Sequence, residues 1–415
     1  MTGFEYRNAE LHVESLPLTE LARRFGTPCY IYSKAALSAA YRDYQQAFAG
    51  HDHLICYAVK ANSNLAILNL FARLGSGFDI VSGGELERVL AAGAAPAKIV
   101  FSGVGKSAAE IRRALECDIL CFNVESESEL LRIAGIAAST GRTARISLRV
   151  NPDVDAGTHP YIATGLRESK FGVAFEDALP LYRRASALRG IEVVGIDCHI
   201  GSQIMDTAPF VAAVERMLSL VDQLAAEGIV ISHIDAGGGL GIRSSAEDHP
   251  PAVAAYAQAL LRALGGRPQK ILLEPGRSLA GGAGILLTRI EYLKHNRARN
   301  FAVVDAAMND LLRPALYDAY HDILPVLSSS SGSERYEIVG PVCETGDFLG
   351  RARSLAVAEG DLLAVMSAGA YGMSMSSNYN TRPRAAEVIV DDTQAHLVRE
   401  RESIAQLYSQ EKLLP

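Results

Sequence analysis

The chain has 415 residues, which is enough for two domains or for one large barrel with a further domain. Its formal net charge of −7 and its scattered Lys and Arg residues do not indicate a nucleic-acid-binding surface. No apolar run reaches the length of a membrane span, and the start "MTGFEYRNAELHV" lacks the apolar core of a signal peptide. We therefore expect a soluble, cytoplasmic protein.

Eight β-rich segments recur along the first two thirds of the chain, each followed by helical spacing of apolar residues. They are "LICYAVKAN", "GFDIVSGGE", "KIVFSGVGK", "ILCFNVES", "RISLRVNP", "VVGIDCHIGS", "SHIDAGGG" and "KILLEPGR". Nearly continuous apolar strands that alternate with helices are typical of a parallel sheet covered by helices. Eight such strands predict an α/β fold with a closed (β/α)₈ barrel, and a doubly wound open sheet is the alternative.

The ends of these strands favour the barrel over the open sheet. All eight end in polar residues or glycine, as expected if they face one site at the carboxyl-terminal rim of a barrel. The residues expected on that rim are Lys60, Ser82, Gly103, Asn151, His199, Gly237 to Gly239 and Glu274.

The pattern changes after about residue 285, where strands follow one another without long helices between them. We therefore expect a C-terminal antiparallel β domain, a sandwich or a small barrel, at 284–415. The strand-like "PCYIYS" suggests that an N-terminal segment, 1–36, packs with this domain. The barrel would then occupy 37–283.

Lys60 and the triple glycine suggest a ligand. A partly buried amine loses its proton more easily than a surface lysine and becomes a nucleophile. At Gly237–Gly239 the backbone N–H groups can approach an anion such as phosphate closely, although a simple tight turn is the alternative. An amine and a phosphate site on one rim predict pyridoxal phosphate, and a phosphorylated sugar is the competing ligand.

Two further rim residues favour the pyridoxal cofactor. Glu274 in "LLEPGR" can keep a pyridine nitrogen protonated, although an ion pair with Arg277 would also explain it. His199 in "DCHIGS" can stack on a planar ring, although a histidine buried in the core is the usual case. The six cysteines form no CxxC pair, and no histidine spacing indicates a metal site. Cys343, in "GPVCETGD", is the cysteine that does not lie in an apolar context.

Longer motifs extend this picture to nearly the whole chain. The stretches "YAVKAN", "GFDIVSGGEL", "FSGVGKS", "NPDVDAGTHPYIATGLRESKFGV", "CHIGSQ", "GGGLGI", "EPGR", "CETGD" and "YGMSMSSNYNTRPR" resemble the diaminopimelate decarboxylases. That family belongs to the fold type III pyridoxal-phosphate enzymes, together with ornithine decarboxylase and alanine racemase. The resemblance runs from about residue 10 to the C-terminus.

The resemblance implies a head-to-tail homodimer with active sites at the subunit interface. Lys60 would form the Schiff base with pyridoxal phosphate, His199 would stack on its ring and Glu274 would pair with its nitrogen. The other implied cofactor-binding residues are Ser202, Gly237, Gly238, Gly239, Gly276, Arg277 and Tyr371. Those implied for the substrate are Arg277, Arg313, Tyr317, Glu344 and Tyr371. Cys343 and Glu344 would come from the neighbouring subunit, with Cys343 as the proton donor.

The implied activity is decarboxylation of meso-2,6-diaminopimelate to L-lysine and CO₂, the last step of lysine biosynthesis. The planar guanidinium groups of Arg277 and Arg313 suit the distal carboxylate of this substrate, and Glu344 suits its distal ammonium. The alternatives are a decarboxylase of ornithine, arginine or carboxynorspermidine, and a cofactor-binding homologue without catalysis. Alanine racemase is disfavoured because that family places an arginine where this chain has Glu274.

The segment 153–170, "DVDAGTHPYIATGLRESK", follows the fifth strand and is rich in Gly, Thr, Ser and Pro. We expect it to be a mobile lid that closes over the substrate and excludes water, and an ordinary surface loop is the alternative.

Overall fold

The structure is a computed structural model that describes residues 3–155, 169–329 and 332–415. The chain divides into two compact units. The barrel unit comprises Tyr41–Ile242 and His249–Ser278, and the β unit comprises Met1–Ala40, Arg243–Asp248 and Leu279–Pro415. Most of the expected lid, residues 156–168, lies outside the described residues, so the lid remains a prediction.

The barrel unit contains eight parallel strands. In chain order they are His53–Ala58, Gly77–Ile80, Ile99–Phe101, Cys121–Val124, Ala144–Asn151, Ile191–Asp197, His233–Asp235 and Lys270–Leu273. Each strand pairs with the next, and the last pairs with the first, so the sheet closes on itself. The predicted (β/α)₈ barrel is confirmed, and the open doubly wound sheet is excluded. The short strand Val173–Ala174 adds to the end of the fifth barrel strand.

A helix follows each barrel strand. In the same order they are Leu65–Arg73, Gly83–Ala91, Ala108–Cys117, Glu127–Thr140, Phe175–Ala187, Ala208–Ala226, Val253–Leu264 and Arg277–Ala280. Side chains cap several of them: Ser82 accepts a hydrogen bond from the N–H of Glu85, and Ser107 and Glu110 form a reciprocal capping box. Ser82 is thus on the rim as predicted, where it serves as a helix cap.

Side chains alternate between the inside of the barrel and the helical layer, as in any strand. In the first strand the ring of Tyr57 packs 4.5 Å from that of Phe71, which lies on the following helix. Leu54 and Cys56 therefore point inward, where they form a buried cluster with Val100, Cys121 and Leu272. This apolar layer supports the polar residues at the carboxyl ends of the strands.

The β unit is built around one mixed sheet. Its strands are Cys29–Ser33, Gly284–His295, Asn300–Val304, Ile323–Pro325, Glu334–Val339, Phe348–Leu355, Leu362–Val365, Ala386–Asp391 and Gln394–Arg399. Cys29–Ser33 lies between Gly284–His295 and Ala386–Asp391, which confirms that the N-terminal strand joins this domain. A small sheet of Phe4–Arg7, Glu10–Val13 and Leu16–Pro17 precedes it, and its Leu11 and Val13 share a core with Ile285 and Leu287.

The prediction that this domain is antiparallel was only partly right. Cys29–Ser33 pairs with Ala386–Asp391 in parallel, and Asn300–Val304 pairs with Glu334–Val339 in parallel. Parallel neighbours need long connections, and both pairs join segments far apart in the chain, where hairpin patterns give no information. The other described pairings of this sheet are antiparallel.

The remaining elements are short or lie at the unit boundaries. The other helices are Leu18–Phe25, Lys34–Ala47, Arg313–Tyr317 and Ile404–Tyr408. The 3₁₀ turns are Val59–Ala61, Pro96–Lys98, Gly281–Ala283, Met373–Met375 and Tyr379–Thr381. Within the described ranges, none of the helices combines the length and the apolar character that crossing a membrane requires.

Replacing Gly195 with alanine should destabilise the barrel. A Cβ at this position in the sixth strand would lie 2.0 Å from Nε2 of His233, which is buried in the neighbouring strand. We expect Gly195→Ala to lower the free energy of unfolding by about 1–3 kcal/mol, the usual cost of overpacking a core. Urea unfolding followed by circular dichroism measures the change.

Gly135→Ala is the matched control. Gly135 lies within the helix Glu127–Thr140, where an added Cβ would meet no atom within 4 Å. Alanine should stabilise this helix by about 0.5–1 kcal/mol. Equal effects of the two substitutions would contradict the steric argument.

Candidate active site

Lys60 lies in a 3₁₀ turn, Val59–Ala61, directly after the first barrel strand. Its Nζ donates a hydrogen bond to Oδ2 of Asp79 at 2.5 Å. Asp79 is the second-to-last residue of the second strand. Asp79 is completely buried, whereas the Lys60 side chain remains 34 % exposed. A buried carboxylate offsets the cost of placing an ammonium at the end of an apolar strand. The amine is thus held in place and still accessible to a ligand.

The three glycines after the seventh strand are required by their surroundings. A Cβ at Gly237 would lie 2.4 Å from the carbonyl oxygen of Cys198, and one at Gly238 would lie 2.1 Å from that of Glu274. Gly237 and Gly239 also have φ angles of +67° and +110°. The turn needs glycine for its own geometry, so both the tight turn and an anion cradle are consistent with it.

His199 follows the sixth strand, and its imidazole is held by the glycine turn. The N–H of Gly238 donates to Nδ1 at 3.1 Å, so a neutral ring carries its proton on Nε2. Desolvation and the nearby charges of Arg149 and Lys60 hold the pKa of His199 well below its usual value. A neutral, fixed imidazole of this kind is suited to lie against a planar ring.

Three buried carboxyl groups meet at the ends of the last three strands. Oxygen atoms of Asp197, Asp235 and Glu274 lie within 4.8 Å of one another. Burial raises the pKa of all three groups, that of Asp235 to about 7. Repulsion from Asp235 adds to the rise for Asp197 and Glu274, and repulsion from Asp79 adds to the rise for Asp235. Protons shared among the carboxyl groups can therefore balance part of this charge. These oxygen atoms are close enough to one another to hold a metal ion, which the sequence did not suggest.

Glu274 lies close to two neutral donors. The hydroxyl of Ser102 and the amide of Asn123 lie 3.4 Å from Oε1 of Glu274, and they come from the third and fourth strands. Burial and the neighbouring carboxyl groups of Asp235, Asp79 and Asp197 raise the pKa of Glu274 well above its usual value, which favours its protonated form. It can therefore hold a proton between itself and a basic ring nitrogen.

Arg277 and Ser202 form a second polar contact within the barrel unit. Nη2 of Arg277 donates to Oγ of Ser202 at 3.0 Å, and the arginine is buried. Just before it, a Cβ at Gly276 would be 3.0 Å from Cβ of Ala61 and 3.1 Å from Cβ of Ala58. Gly276 therefore lets the loop after the eighth strand approach the turn that carries Lys60.

The remaining predicted site residues belong to the β unit. Arg313 begins a short helix, and its guanidinium carbon lies 5.7 Å from the ring centre of Tyr317 and 6.0 Å from that of Tyr371. The structure therefore brings these three residues together. Tyr371 has a φ angle of +56°, a strained conformation for a tyrosine.

Cys343 and Glu344 are exposed on the loop between the strands Glu334–Val339 and Phe348–Leu355. The carboxylate of Asp347 shapes this loop by accepting hydrogen bonds from the N–H groups of Val342, at 2.9 Å, and Met308, at 2.7 Å. The amide of Cys343 donates to Oδ1 of Asn380 at 2.8 Å. The loop is well anchored, and the side chains of Cys343 and Glu344 are exposed.

Sequence reasoning missed several charged residues of the barrel. They are Asp79, Glu125, Arg149, Asp197 and Asp235. Each stands within or directly after an apolar strand, as in "FDI", "LRV" and "GID". A charged residue in such a run is costly unless it is paired, and this signal could have identified them.

These residues fit pyridoxal phosphate. They offer an amine for its aldehyde, a neutral imidazole for its ring, a carboxyl group for its nitrogen and a glycine turn with a hydroxyl and a guanidinium for its phosphate. In addition, Oδ1 of Asp79 and Oδ1 of Asp197 are buried without a hydrogen-bond partner in the described part of the chain. Such orphaned acceptors are expected beside a binding site.

Comparisons with known proteins agree with this chemistry. Residues 34–281 match the family described as pyridoxal-dependent decarboxylase, pyridoxal binding domain, so the chain belongs to the pyridoxal-dependent decarboxylases. Similar proteins within that class include diaminopimelate decarboxylases. The chain is 59% identical to diaminopimelate decarboxylase of Pseudomonas aeruginosa over 100% of both chains, and 55% identical to that of Vibrio cholerae, again over 100% of both.

Solved structures give the same result. Diaminopimelate decarboxylase from Helicobacter pylori, complexed with L-lysine, has a TM-score of 0.92 at 44% identity and covers 95% of this chain and 99% of its own. The enzyme from M. jannaschii in complex with L-lysine has a TM-score of 0.96 at 38% identity and covers 100% and 99%. The chain therefore belongs to the diaminopimelate decarboxylase family.

Asp235→Asn should change how the stability of the barrel depends on pH. Burial raises the folded-state pKa of Asp235 from its ordinary value of 3.8 to about 7, so the folded chain holds this proton more tightly than the unfolded chain. Ionisation of Asp235 therefore lowers the free energy of unfolding as the pH rises from about 4 to about 7. Relative to the parent, Asp235→Asn should gain at least about 1 kcal/mol of unfolding free energy between pH 4 and pH 8.

Urea unfolding of the cofactor-free chain across this range measures the difference. Asp222→Asn is the control, because the Arg267 guanidinium lowers the pKa of this exposed carboxyl group, so the effect of the substitution should stay nearly constant above about pH 4. A difference that does not vary with pH would contradict the assignment for Asp235.

Proposed function

We propose that this chain catalyses the pyridoxal-phosphate-dependent decarboxylation of meso-2,6-diaminopimelate to L-lysine and CO₂, the last step of lysine biosynthesis. The observation that carries the proposal is the arrangement of Lys60, His199 and Glu274 at one rim of the barrel. It is supported by relatives of this name that match over the whole chain at 50–59% identity, such as those of Pseudomonas aeruginosa and Aquifex aeolicus.

Residues of the barrel unit would hold the cofactor. Lys60 would bond to the aldehyde carbon, and the turn Gly237–Gly239, with Gly276, Ser202 and Arg277, would bind the phosphate, to which Tyr371 of the β unit would add its hydroxyl. Backbone N–H groups and a hydroxyl suit phosphate oxygens, and an arginine adds opposite charge. When it is bound, the cofactor withdraws electrons from the bond that breaks as CO₂ departs.

Glu274 and His199 would prepare the ring for this role. Glu274 would keep a proton on the pyridine nitrogen. The neighbouring carboxyl groups of Asp197 and Asp235 disfavour a negative charge on Glu274, so a proton shared between Glu274 and the ring would be favoured. His199 would pack flat against the ring, and the hydrogen bond from Gly238 fixes its orientation. Asp79 would hold the amine of Lys60 when that amine is not bonded to the cofactor.

The far end of the substrate carries a carboxylate and an ammonium. Arg277 and Arg313 would bind the carboxylate, since the planar guanidinium group matches its two oxygens, and Tyr317 and Tyr371 would add hydroxyl contacts. Glu344 would bind the ammonium. Plain diamines and ornithine lack the distal carboxylate, so they would leave the arginines without a partner and be rejected.

A homodimer would complete the site. Cys343 and Glu344 are exposed in the single chain, on a loop shaped by Asp347, and we propose that they enter the active site of a neighbouring subunit. The thiol of Cys343 would then deliver a proton to the carbon that has lost CO₂. The cytoplasmic location expected from the sequence is part of this proposal.

Substrate choice tests the proposed function. Released CO₂ should be measured with meso-diaminopimelate, ornithine, arginine and lysine, each with and without added cofactor. We expect turnover of meso-diaminopimelate alone. Preference for ornithine or arginine would overturn the proposal, and a cofactor-binding protein that releases no CO₂ would favour the non-catalytic alternative.

Arg313→Ala tests the distal-carboxylate site. Removing one charged partner should lower kcat/KM for meso-diaminopimelate about 30-fold or more, equivalent to at least about 2 kcal/mol of lost binding. Arg299→Ala changes an exposed arginine of the same unit and should have no effect. Unchanged turnover by Arg313→Ala would exclude this arginine from the substrate site.

Covalent capture tests Lys60. Borohydride treatment of the holoenzyme should fix the cofactor to this side chain, and peptide mass spectrometry would locate it. Lys60→Ala should abolish both capture and CO₂ release, because the nucleophilic amine is lost. Capture at another lysine would contradict the assignment.

A further inference from the structure

A buried carboxylate at the end of the fourth barrel strand ties three neighbouring segments together. Oε1 of Glu125 accepts hydrogen bonds from the N–H of Gly103, at 2.9 Å, and from Nη1 of Arg149, at 3.2 Å. Its Oε2 accepts the N–H of Gly172 at 2.9 Å. Glu125 therefore links the loop after the third strand, the fifth strand and the segment that leads into the following helix.

Glu125 is itself held by a buried ion pair. Its N–H donates to Oε2 of Glu129 at 2.8 Å, and Oε1 of Glu129 accepts from Nζ of Lys106 at 2.7 Å. The same ammonium also donates to the carbonyl oxygens of Gly103 and Asn123, both at 2.7 Å. All three donors of this buried ammonium are satisfied, so the network is rigid.

Arg149, the cation that Glu125 holds, is buried in the fifth strand in register with Asp197, whose carboxyl group lies beside that of Glu274. Its guanidinium carbon also lies 4.8 Å from the ring centre of Phe171, on the side of Gly172. Burial alone would lower the pKa of Arg149, but the carboxyl groups of Glu125, Asp197, Glu274 and Asp79 raise it. Its charge in turn contributes to the low pKa of His199.

We propose that Glu125 is a positioning residue for the reaction. It holds the Arg149 guanidinium in place relative to His199 and Glu274. The Lys106–Glu129 pair in turn fixes Glu125. This inference rests on the proposed function for its relevance to catalysis. Its physical content, the placement of one cation beside the bound cofactor, does not depend on the substrate.

The test is Glu125→Asp, which keeps the charge but shortens the side chain by one methylene, so that it cannot reach Gly103, Arg149 and Gly172 at once. The readout is the pH midpoint of the absorbance change of the bound cofactor. Moving the Arg149 cation away should favour the protonated form of the bound cofactor and raise this midpoint by at least about 0.5 pH units. With meso-diaminopimelate, kcat should fall about 10-fold while KM changes less than about 2-fold.

Two comparisons separate positioning from a merely structural role. In an Arg149→Gln background, Glu125→Asp should produce no further shift of the midpoint, because the residue acts through the arginine. Glu127→Asp, an exposed glutamate two positions away, should leave the midpoint and kcat unchanged. An unshifted midpoint in Glu125→Asp, or an equal shift with and without Arg149, would overturn the inference.

If Glu125→Asp does not fold, Glu129→Gln replaces it, because it weakens the hold of Lys106 and leaves the Glu125 side chain intact. A smaller shift in the same direction would support the inference, and no shift would overturn it. Since the midpoint is measured without substrate, failure of the proposed function would show as holoenzyme that titrates as expected but releases no CO₂.

Discussion

The site depends on an excess of buried negative charge inside the barrel. Asp79, Asp197, Asp235 and Glu274 are all buried at the carboxyl ends of the strands, and the amine of Lys60 and the guanidinium of Arg149 are the cations set against them. Carboxylates in a low-dielectric interior repel one another strongly. Burial and this repulsion raise the pKa values of Asp197, Asp235 and Glu274, which favours the protonated forms of these three carboxyl groups.

This charge balance links the separate roles of the site residues. Burial and the neighbouring carboxyl groups raise the pKa of Glu274, and the ammonium of Lys60 pairs with Asp79. Burial, with the charges of Arg149 and Lys60, lowers the pKa of His199. Each of these states suits a different part of one cofactor. A change to any one group should therefore alter the protonation of the others.

Much of the fold could be predicted because its signals are local. Apolar runs that end in polar residues marked all eight barrel strands, and each rim residue singled out in the sequence lies at or just beyond a strand end. The parallel pairings of the β unit were missed because register between distant segments leaves no local pattern. Division into units was also only approximate, since Arg243–Asp248 groups with the β unit although it lies between barrel elements in the chain.

Site residues were predicted where the side chain by itself indicates its chemistry. They were missed where their role depends on contacts with other residues. Lys60 and Glu274 are recognisable as an amine and a carboxyl group at strand ends. Glu125 and Arg149 gain their importance from hydrogen bonds between strands and loops that are far apart in sequence. Spacing along the chain cannot encode such contacts, although an unexplained charge within an apolar strand marks where to look.

The central place of Cys29–Ser33 in the β unit has a consequence for biosynthesis. The ribosome makes this strand early, but its two neighbours, Gly284–His295 and Ala386–Asp391, emerge only after the whole barrel. The barrel strands pair with their immediate successors and can assemble during translation, with only the last pairing waiting for Lys270–Leu273. Until Gly284–His295 has emerged, an apolar strand near the beginning of the chain must therefore remain without either of its neighbours.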